Sequence, residues 1–397
     1  MRQVRVAVLT NVILDYRRPI FEALNGKPSL CLRIFLSSPL SESDILAQRN
    51  LPLFYSKALL LKFRTSHKHV DSEQVENLPV PICLFRDLLR FKPQVIISGE
   101  FGLRSLMAYL ASRVIRVPLV VWSEEIDSSA ANISVIQRKL RNFLIPKASF
   151  FLAWGHPAVS YLYNFGVNKS AVIYCAQAVD NALWRSRVES HDKAHLVADL
   201  GLTGKVFLLV GRHLKRKGFD YFLRAWAEVP NHLRANNSVL MVGDGDESLR
   251  LRALAEELRL SEVRFVGAKD GEDLGIFYAV ADVFVFPSLV DVWGLVVNEA
   301  LACGLPVLAS RYAGVSQELG QLEQSVGVLE VFDPLDIAGF TSLLSKWCEN
   351  DIRACPERAR ALVDRLNFNV SIAAFNEVMS RCLAIQNRSA EGSNSNR

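Results

Sequence analysis

Short runs of Val, Ile, Leu and Phe alternate along the chain with amphipathic stretches of helical period. In the first half VRVAVLT precedes RRPIFEALN, PQVIISGE precedes LRSLMAYLASRV, and VPLVVWSEE precedes VIQRKLRNFLI. After a polar span near 186–204 the alternation restarts with KVFLLVG, YFLRAWAEV, SVLMVGDG and LRALAEELR. Strands that alternate with helices are typical of parallel sheets with helical crossovers. The pattern predicts an α/β chain of two doubly wound, Rossmann-like domains.

The restart of the alternation sets the predicted domain boundaries. A chain of 397 residues exceeds what one hydrophobic core commonly spans. We expect an N-terminal domain over 1–185, a C-terminal domain over 186–370 and a closing helix over 371–386. The polar tail over 387–397 is expected to be disordered. Because ligands of such sheets bind at the carboxyl ends of the strands, two such domains predict a central cleft.

Composition excludes several classes of protein. Half of the residues are hydrophobic and 22% are charged, which is typical of a folded soluble protein. The seven cysteines are scattered and lack a C-x-x-C pair, so neither a disulfide framework nor a zinc site is indicated. No apolar run approaches the roughly 20 residues of a membrane-spanning helix, and the first residues lack a secretory pattern. We expect a cytoplasmic protein.

The net charge of +5 is unevenly distributed. Residues 1–180 carry +9 and the remainder carries −4. Such asymmetry indicates an anionic partner, for which a membrane surface, a phosphorylated acceptor and nucleic acid are candidates, with ordinary surface variation as the alternative. The segment Tyr55–Val70 joins four Lys or Arg and two His to a Leu-Phe surface, as in segments that lie on anionic lipid. A basic domain edge with its apolar residues in the core explains that composition equally well.

Two loops in the second half carry phosphate-binding and turn-forming residues. After KVFLLV, Arg212 can present a planar fork and Lys217 a point charge to phosphate oxygens, although a solvated basic loop is the commoner explanation. After SVLMV, the glycines of GDGD let the backbone approach a ligand closely. Asp244 and Asp246 mimic a metal-binding D-x-D pair, but helix caps are commoner there and a third ligand is missing. We therefore expect no metal.

The stretch Pro287–Ser310 places two carboxylates eight positions apart in an apolar segment. The helix expected to begin at Gly294-Leu295 has unpaired N–H groups, which form a natural anion site. Asp291 precedes this helix, and Glu299 lies about one and a half turns into it. A carboxylate suits vicinal hydroxyls of a ribose or a sugar. The alternative makes Asp291 a cap or loop residue and Glu299 a buried acid paired with Arg or Lys.

The order GRHLKRKG, VGDGDESLRL, VRFVG and FPSLVDVWGLVVNEALACGLPVLAS resembles the nucleotide-sugar-binding domain of the family-four retaining glycosyltransferases, which have the GT-B fold. The resemblance covers Val206 to Gln317. It implies that Arg212 and Lys217 contact the donor diphosphate. It also implies that Glu299 binds the ribose and that Asp291 contacts the transferred sugar.

The same resemblance assigns the rest of the donor site to backbone groups. Gly267 and Ala268 would face the base, and Gly211, Gly243, Gly294 and Leu295 would line the nucleotide. The first acid of the motif is Asp rather than the more usual Glu, shorter by one methylene, so the identity of the donor sugar stays open.

The first half resembles a subgroup of the family in which the first loop reads Y-R-x-P-x-F-x-x-L. Because the glycine-rich form of the loop is missing, Thr10 and Asn11 are expected to line the cleft there. A surface-loop role for Arg17 and Arg18 has equal weight with a functional one. Many relatives have a histidine near the end of VPLVVWSEE, where this sequence has Glu124.

Glu124 is the nearest polar substitute for that histidine. We expect it to contact the acceptor or the sugar, with a loop or capping role as the alternative. His156, in AWGHP, could reach the cleft but is more often a structural loop residue.

The resemblance implies transfer of a glycosyl group from a nucleoside diphosphate sugar to a glycan or lipid-linked acceptor, with retention and without a metal, a cofactor or a protein nucleophile. We expect the protein to associate peripherally with the cytosolic face of the membrane. Alternatives are a nucleotide-sugar epimerase of the same architecture and a nucleotide- or nucleic-acid-binding protein. No G-x-G-x-x-G follows the first strand, and aromatic-interleaved basic motifs are missing, which disfavours a dinucleotide oxidoreductase and nucleic-acid binding.

Overall fold

The computed structural model describes residues 3–38, 50–67, 70–127, 133–349 and 355–394, excluding the side chains of 60–79 and 389–394. The chain divides into two compact units. The first unit holds Met1–Ser66, Glu73–Gln177 and Phe368–Arg397, and the second holds His67–Ser72 and Ala178–Asn367. The main passage into the second unit therefore lies at 177/178, eight residues before the predicted boundary.

The strands form two large parallel sheets and one small sheet. In chain order the strands are β1 Val4–Thr10, β2 Leu30–Leu36, β3 Leu53–Tyr55, β4 Leu59–His67, β5 Val70–Val80, β6 Val95–Gly99, β7 Leu119–Ser123, β8 Phe150–Trp154, β9 Val172–Cys175, β10 Val206–Val210, β11 Ser238–Val242, β12 Val263–Gly267, β13 Val283–Phe286, β14 Val307–Ser310 and β15 Leu329–Phe332. The first unit has the order β3-β2-β1-β6-β7-β8-β9, and the second has β12-β11-β10-β13-β14-β15. Strands β4 and β5 pair separately.

Helices connect these strands and close the chain. In chain order they are α1 Arg18–Asn25, α2 Leu84–Phe91, α3 Leu103–Ile115, α4 Val135–Leu144, α5 His156–Asn164, α6 Asn181–Glu189, α7 Lys193–Asp199, α8 Phe219–Glu228, α9 Asn231–Arg234, α10 Ser248–Glu257, α11 Gly271–Val280, α12 Leu295–Ala302, α13 Gly314–Leu319, α14 Ile337–Glu349, α15 Pro356–Val363 and α16 Phe368–Asn394. In the described part of the chain, none is long and apolar enough to span a bilayer.

The core of the first unit shows why its strands are apolar on both faces. Val6 and Val8 of β1 belong to one buried cluster, whereas Ala7 and Leu9 belong to another. Successive side chains of a strand point to opposite faces, and helices cover both faces of a parallel sheet. The predicted α/β class is therefore confirmed for each unit, and the predicted central cleft stays a prediction.

The closing helix is longer than the sequence indicated, and it belongs to the first unit. It extends from Phe368 to Asn394, rather than over 371–386. Phe375 is fully buried, and the Ser371 hydroxyl donates a hydrogen bond of 2.8 Å to the carbonyl of Ala176. The expected disorder from 387 onward is wrong for 387–394, which continue the helix, whereas 395–397 lie outside the described residues.

Each large sheet has one point at which its strand order reverses. In the first unit this switch point lies between β1 and β6, and in the second it lies between β10 and β13. Loops that follow the two strands at such a point diverge and leave a crevice for ligands. Among the candidate site residues, Arg212 and Lys217 follow β10 and Asp291 follows β13, whereas Glu124 follows β7, the neighbour of β6.

The basic segment Tyr55–Val70 includes β4, which pairs with β5 in a two-stranded sheet. Its side chains from Leu60 onward lie outside the described residues, and positions 68 and 69 lie outside them altogether. The interfacial role expected of this segment stays a prediction.

Candidate functional site

The cationic loop after β10 is held against the loop after β13. Lys215–Lys217 form one 3-10 turn that ends at Gly218, whose φ is 67°. A Cβ atom on Gly218 would lie 2.1 Å from the carbonyl oxygen of Pro287, so only glycine fits here. The backbone N–H of Leu289 donates a hydrogen bond of 2.8 Å to the carbonyl of Arg216. The two loops at the switch point of the second sheet are therefore tied together.

This contact unites two predicted site residues. The Lys217 ammonium forms an ion pair with the Asp291 carboxylate, and the two side chains are only 16% and 15% exposed. The same ammonium lies 5.3 Å from the centroid of the Phe286 ring. Arg212 is exposed at the start of the loop and has no ion pair among the described residues. The site thus presents one paired and one solvent-facing cation.

The segment between Asp291 and α12 has a fixed shape. The Trp293 backbone N–H donates a hydrogen bond of 3.3 Å to Asp291 Oδ1, and the Trp293 indole N–H donates one of 2.9 Å to Asn298 Oδ1. Gly294 has a φ of 102°, and a Cβ atom there would lie 2.7 Å from the Phe286 ring. The predicted helix start is confirmed, because α12 begins at Leu295 directly after this glycine.

Glu299 is oriented by a buried tyrosine from α11. The Tyr278 hydroxyl donates a hydrogen bond of 2.9 Å to Glu299 Oε2. Burial raises the pKa of Glu299 to about 7, although the Tyr278 hydrogen bond and the Arg187 guanidinium both act to lower it. Neither Tyr278 nor Arg187 was predicted from the sequence, because neither belongs to a motif and both lie far from Glu299 along the chain. Glu299 therefore changes its charge near neutral pH.

Asp244, the first acid of the glycine turn after β11, has a structural role. The Asp244 carboxylate accepts hydrogen bonds from the Gly245 N–H at 2.8 Å and from the Ser248 hydroxyl at 2.5 Å. These bonds lower the pKa of Asp244. Asp246 is exposed. Within the described ranges no group of three or more His, Cys, Asp or Glu side chains is arranged to hold a metal ion.

The glycine turns after β10 and β11 pack directly on each other. A Cβ atom on Gly243 would lie 1.9 Å from the carbonyl oxygen of Gly211. The sequence predicted no role for His213. This residue is buried between the two turns, and its Nδ1 forms a hydrogen bond of 2.9 Å with the Ser248 hydroxyl. The pKa of His213 is lowered, chiefly by burial. His213 is therefore part of the packing that shapes the turns.

The end of β12 is open. Gly267 has a φ of 85°, and no heavy atom lies within 4 Å of a Cβ atom placed on it. Ala268 is exposed beside it, and Leu295 is half-buried at the start of α12. The predicted contact of Gly267 and Ala268 with a base stays a prediction.

In the first unit, Arg17 is buried at the carboxyl edge of the sheet. It is 5% exposed, and its guanidinium carbon lies 4.7 Å from the ring centroids of both Trp122 and Trp154. It forms an ion pair with Glu124. The surface-loop alternative is therefore wrong for Arg17, whereas Arg18 is partly exposed and lies 3.7 Å from Glu22.

Glu124 belongs to a network of carboxylates rather than to an isolated loop. Gln177 Nε2 donates a hydrogen bond of 3.3 Å to Glu124 Oε2, and the Glu124 backbone N–H donates one of 3.1 Å to Glu100 Oε1. Burial, together with repulsion from Glu125 and Glu124, raises the pKa of Glu100 well above its usual value. Glu125 pairs with Arg141 at 3.0 Å. The contact of Glu124 with a substrate stays a prediction.

Of the two residues expected to line the cleft after β1, Asn11 is exposed and Thr10 is buried. Arg104 donates hydrogen bonds to the Asn11 side chain and, at 2.8 Å, to the carbonyl of Gly99. Asn11 is exposed at the end of β1, as expected for a residue facing a ligand, whereas Thr10 is buried and donates to the carbonyl of Val12. His156 begins α5, with its ring 4.6 Å from that of Tyr174.

Comparison with known proteins shows which families and proteins the sequence of this chain resembles. The family model of the glycosyl transferases group 1 matches residues 192–362. Over 118 residues the chain is 41% identical to the D-inositol 3-phosphate glycosyltransferase of Corynebacterium jeikeium, which is 28% of each protein. Over 174 residues it is 28% identical to the lipopolysaccharide glucosyltransferase WaaG of Escherichia coli, covering 40% of this chain and 46% of WaaG. The chain thus aligns with less than half the length of these relatives.

Solved structures extend the likeness to both units. The HepE protein of Anabaena, in complex with UDP and glucose, has a TM-score of 0.72 and 17% sequence identity, and the match covers 96% of this chain and 100% of that chain. At this sequence identity the likeness supports the fold alone. The GT-B fold predicted from the sequence is confirmed.

Proposed function

We propose, from the premise that residues 192–362 belong to the glycosyl transferases group 1 family, that the protein transfers a sugar from a nucleoside diphosphate sugar to a glycan or lipid-linked acceptor. The observation that carries this proposal is the pairing of Lys217 with Asp291 where α12 begins. A cation, a carboxylate and unpaired backbone N–H groups then lie together at the switch point of the second sheet. A diphosphate joined to a sugar needs these three features.

The donor is oriented by the two acids Asp291 and Glu299. Glu299 accepts hydrogen bonds from the ribose hydroxyls, and Tyr278 fixes the direction of its carboxylate. Asp291 contacts the sugar hydroxyls. Because Asp291 is already paired with Lys217 and accepts the Trp293 N–H, its carboxylate is held in place before the donor arrives. Such preorganisation reduces the entropy lost on binding.

Departure of the diphosphate is the step that the cations assist. Lys217 has three N–H donors, so it can keep its bond to Asp291 while it donates to a phosphate oxygen. Arg212 adds a bidentate donor from the solvent side of the same loop. Together with the N-terminus of α12 they stabilise the growing negative charge by several kcal/mol. These fixed positive charges serve the role that a divalent cation has in other transferases, so we expect metal-independent transfer.

Retention of the anomeric configuration is the stereochemical outcome that the family resemblance implies. The acceptor hydroxyl attacks on the face that the diphosphate leaves, through an oxocarbenium-like state. No protein nucleophile is assigned, because the acceptor hydroxyl itself attacks the anomeric carbon in this mechanism. The proton of the acceptor passes to the departing phosphate oxygen.

The acceptor side of the reaction belongs to the first unit. Asn11 and Glu124 directly follow two strands of that sheet, β1 and β7, and Glu100 accepts a hydrogen bond from the Glu124 backbone N–H. The relatives named above act, by their names, on an inositol phosphate and on lipopolysaccharide. A hexose transferred to a glycan or lipid-linked acceptor, at an anionic membrane surface, fits these relatives and the +9 charge of residues 1–180.

A transfer assay tests the proposal. UDP-, GDP- and ADP-sugars are incubated with the protein and a panel of alkyl glycosides, once with EDTA and once with magnesium, and products are read by NMR. We expect one donor to be consumed at equal rates with EDTA and with magnesium. An α-linked donor should give an α-linked product. Consumption of no donor would refute the transferase, and an inverted product would refute retention.

A further inference from the structure

The first unit contains a large cavity at the edge opposite Arg17 and Glu124. Its walls include residues at or just before the amino ends of strands, namely Arg5, Gln94, Pro118 and Ser149. Its volume is about 900 Å³, within the usual range for small-molecule sites. The carboxyl edge, where the proposed acceptor chemistry lies, is at the other end of the same strands. The cavity is therefore separate from the candidate site of this unit.

The lining of the cavity carries charge of one sign. Four cations line it, Arg5, Lys92, Arg113 and Arg116, and no lining residue is Asp or Glu. None of the four has an ion pair with a carboxylate in the described part of the chain. The sequence also has no acid from 101 to 123 or from 128 to 179, the two stretches that include α3 and α4. Much of the excess positive charge of the first half is thus local to this region.

Hydrogen bonds tie the walls of the cavity together. Arg5 Nε donates a bond of 2.8 Å to the carbonyl of Lys92, and the Arg5 backbone N–H donates one of 3.2 Å to Gln94 Oε1. From α16, Gln386 Nε2 donates a bond of 2.7 Å to the carbonyl of Gln94. Strand β1, the end of α2 and the closing helix α16 are therefore connected in one wall of the cavity, which fixes the positions of Arg5 and Lys92 relative to each other.

Two of the cations occupy positions that favour glycine. Lys92 and Arg116 end α2 and α3 with φ values of 51° and 61°, in the left-handed region. Cations near helix C-termini also offset the partial negative charge there, and this alone is the structural explanation of the cluster. Four like charges around one concavity exceed what two helix ends need, and a concave surface of one sign concentrates its field on an anion.

We propose that this cavity binds the phosphate group of a ligand that also has an apolar part. Val114 and Ile385, both among its lining residues, are 62% and 43% exposed, so apolar surface adjoins the cations. Such a ligand is either a soluble phosphate ester or the headgroup of an anionic lipid. The site does not depend on the proposed transferase reaction, since its lining residues belong to the first unit and the donor-site residues to the second.

Binding is measured by calorimetry with inorganic pyrophosphate, and by flotation with phosphatidylcholine vesicles that contain or lack phosphatidylglycerol. The parent for both assays is the Arg212→Ala, Lys217→Met protein, in which the second unit's phosphate contacts are removed. The test variant adds Arg113→Glu and Arg116→Asn, because asparagine tolerates the left-handed conformation. The control adds Arg138→Glu and Lys139→Asn, an equal change of charge at exposed positions of α4 outside the cavity.

We expect the test variant to weaken binding about tenfold or more, as the loss of charge-assisted hydrogen bonds implies, while the control binds like the parent. Loss of pyrophosphate binding indicates a soluble ligand, and loss of vesicle binding alone indicates a lipid headgroup. If the parent binds neither, or if test and control lose binding equally, the cations serve only the helix ends. Arg113→Gln, a single exposed change, repeats the test if the double variant does not fold.

Discussion

The carboxyl edges of the two sheets present charged residues in opposite ways. In the second unit, Lys217 and Asp291 are held by loops whose shape depends on glycines, and Arg212 faces solvent. In the first unit, Arg17 is enclosed by two tryptophans, and its partner Glu124 is bonded to Gln177 as well. One edge is shaped by backbone, whereas the other is filled by side chains.

This difference separates residues kept for binding from residues kept for packing. A loop made of glycine turns leaves N–H groups and cations accessible to a phosphate. A guanidinium that stacks on aromatic rings and pairs with a carboxylate in the interior is part of the packing, and its removal leaves a buried charge. We therefore expect substitutions at the second edge to affect ligands first, and those at the first edge to affect stability first.

The largest effect is expected from Gly218→Ala. Its Cβ atom would lie 2.1 Å from the Pro287 carbonyl oxygen, and its φ of 67° is unfavourable for alanine. The free energy of unfolding should fall by about 4 kcal/mol, measured by chemical denaturation. Gly26→Ala, in the first unit, is the matched control, because its φ is −67° and a Cβ atom there would lie no closer than 3.5 Å to another atom. A loss of stability there beyond about 0.5 kcal/mol would contradict the assignment of backbone shape to the second edge alone.

A pair of charge deletions compares the two edges directly. Arg17→Met should lower the free energy of unfolding by about 3 kcal/mol, because it leaves Glu124 partly buried without its cation. Lys217→Met should cost less, about 2 kcal/mol, because the Lys217 side chain is 16% exposed against 7% for Arg17 and lies over one aromatic ring rather than two tryptophans, but it should abolish nucleoside diphosphate binding. Denaturation and calorimetry on both variants give the four numbers. The comparison fails if Lys217→Met unfolds the protein as readily as Arg17→Met does.

The pH dependence of stability reports on Glu299. Its folded-state pKa of about 7 lies above the ordinary value of 4.5. Its contribution to stability is therefore fully present below pH 4.5 and is lost as the pH rises through 7. Between about pH 5 and pH 8 the free energy of unfolding should fall by about 2 kcal/mol more in the wild type than in Glu299→Gln. Equal slopes in the two proteins would show that Glu299 titrates as it does in the unfolded chain.

The smallest effect is expected from Tyr278→Phe. This change removes a hydrogen bond of 2.9 Å to Glu299 and should weaken nucleoside diphosphate binding by about 1 kcal/mol. Because that bond lowers the pKa of Glu299, its loss should also move the pH midpoint of binding upward. Calorimetry over a pH series measures both quantities. An unchanged midpoint would mean that the hydroxyl does not orient the carboxylate.

The fold and the loops of the second edge could be predicted from the sequence because their signals are local. Apolar runs alternate with amphipathic helices. Gly294 is the last residue of the loop between the buried strand β13 and α12. The order of motifs along the chain then places Arg212, Lys217 and Asp291 after adjacent strands. These features depend on residues a few positions apart, which a sequence displays directly.

The side-chain network of the first edge could not be predicted in the same way. Glu124 meets Arg17 from 107 positions away. In the second unit the same limit applies to Glu299, which meets Tyr278 of an apolar helix from 21 positions away. Arg17 lies in a segment, DYRRP, that is as polar as any surface loop, so its burial between Trp122 and Trp154 has no local signal. The helical continuation past 387 was missed because a polar composition does not prevent a helix from extending.

The most direct test of the donor site is a calorimetric titration of the purified protein with UDP, GDP and ADP and their common sugar conjugates, without metal and then with magnesium. Glu299→Ala and Arg212→Ala are titrated alongside. We predict tight, metal-independent binding of one diphosphate that is lost in both variants. If no nucleotide binds, or if both variants bind as the parent does, the assignment of the donor site to the second sheet's carboxyl edge is wrong.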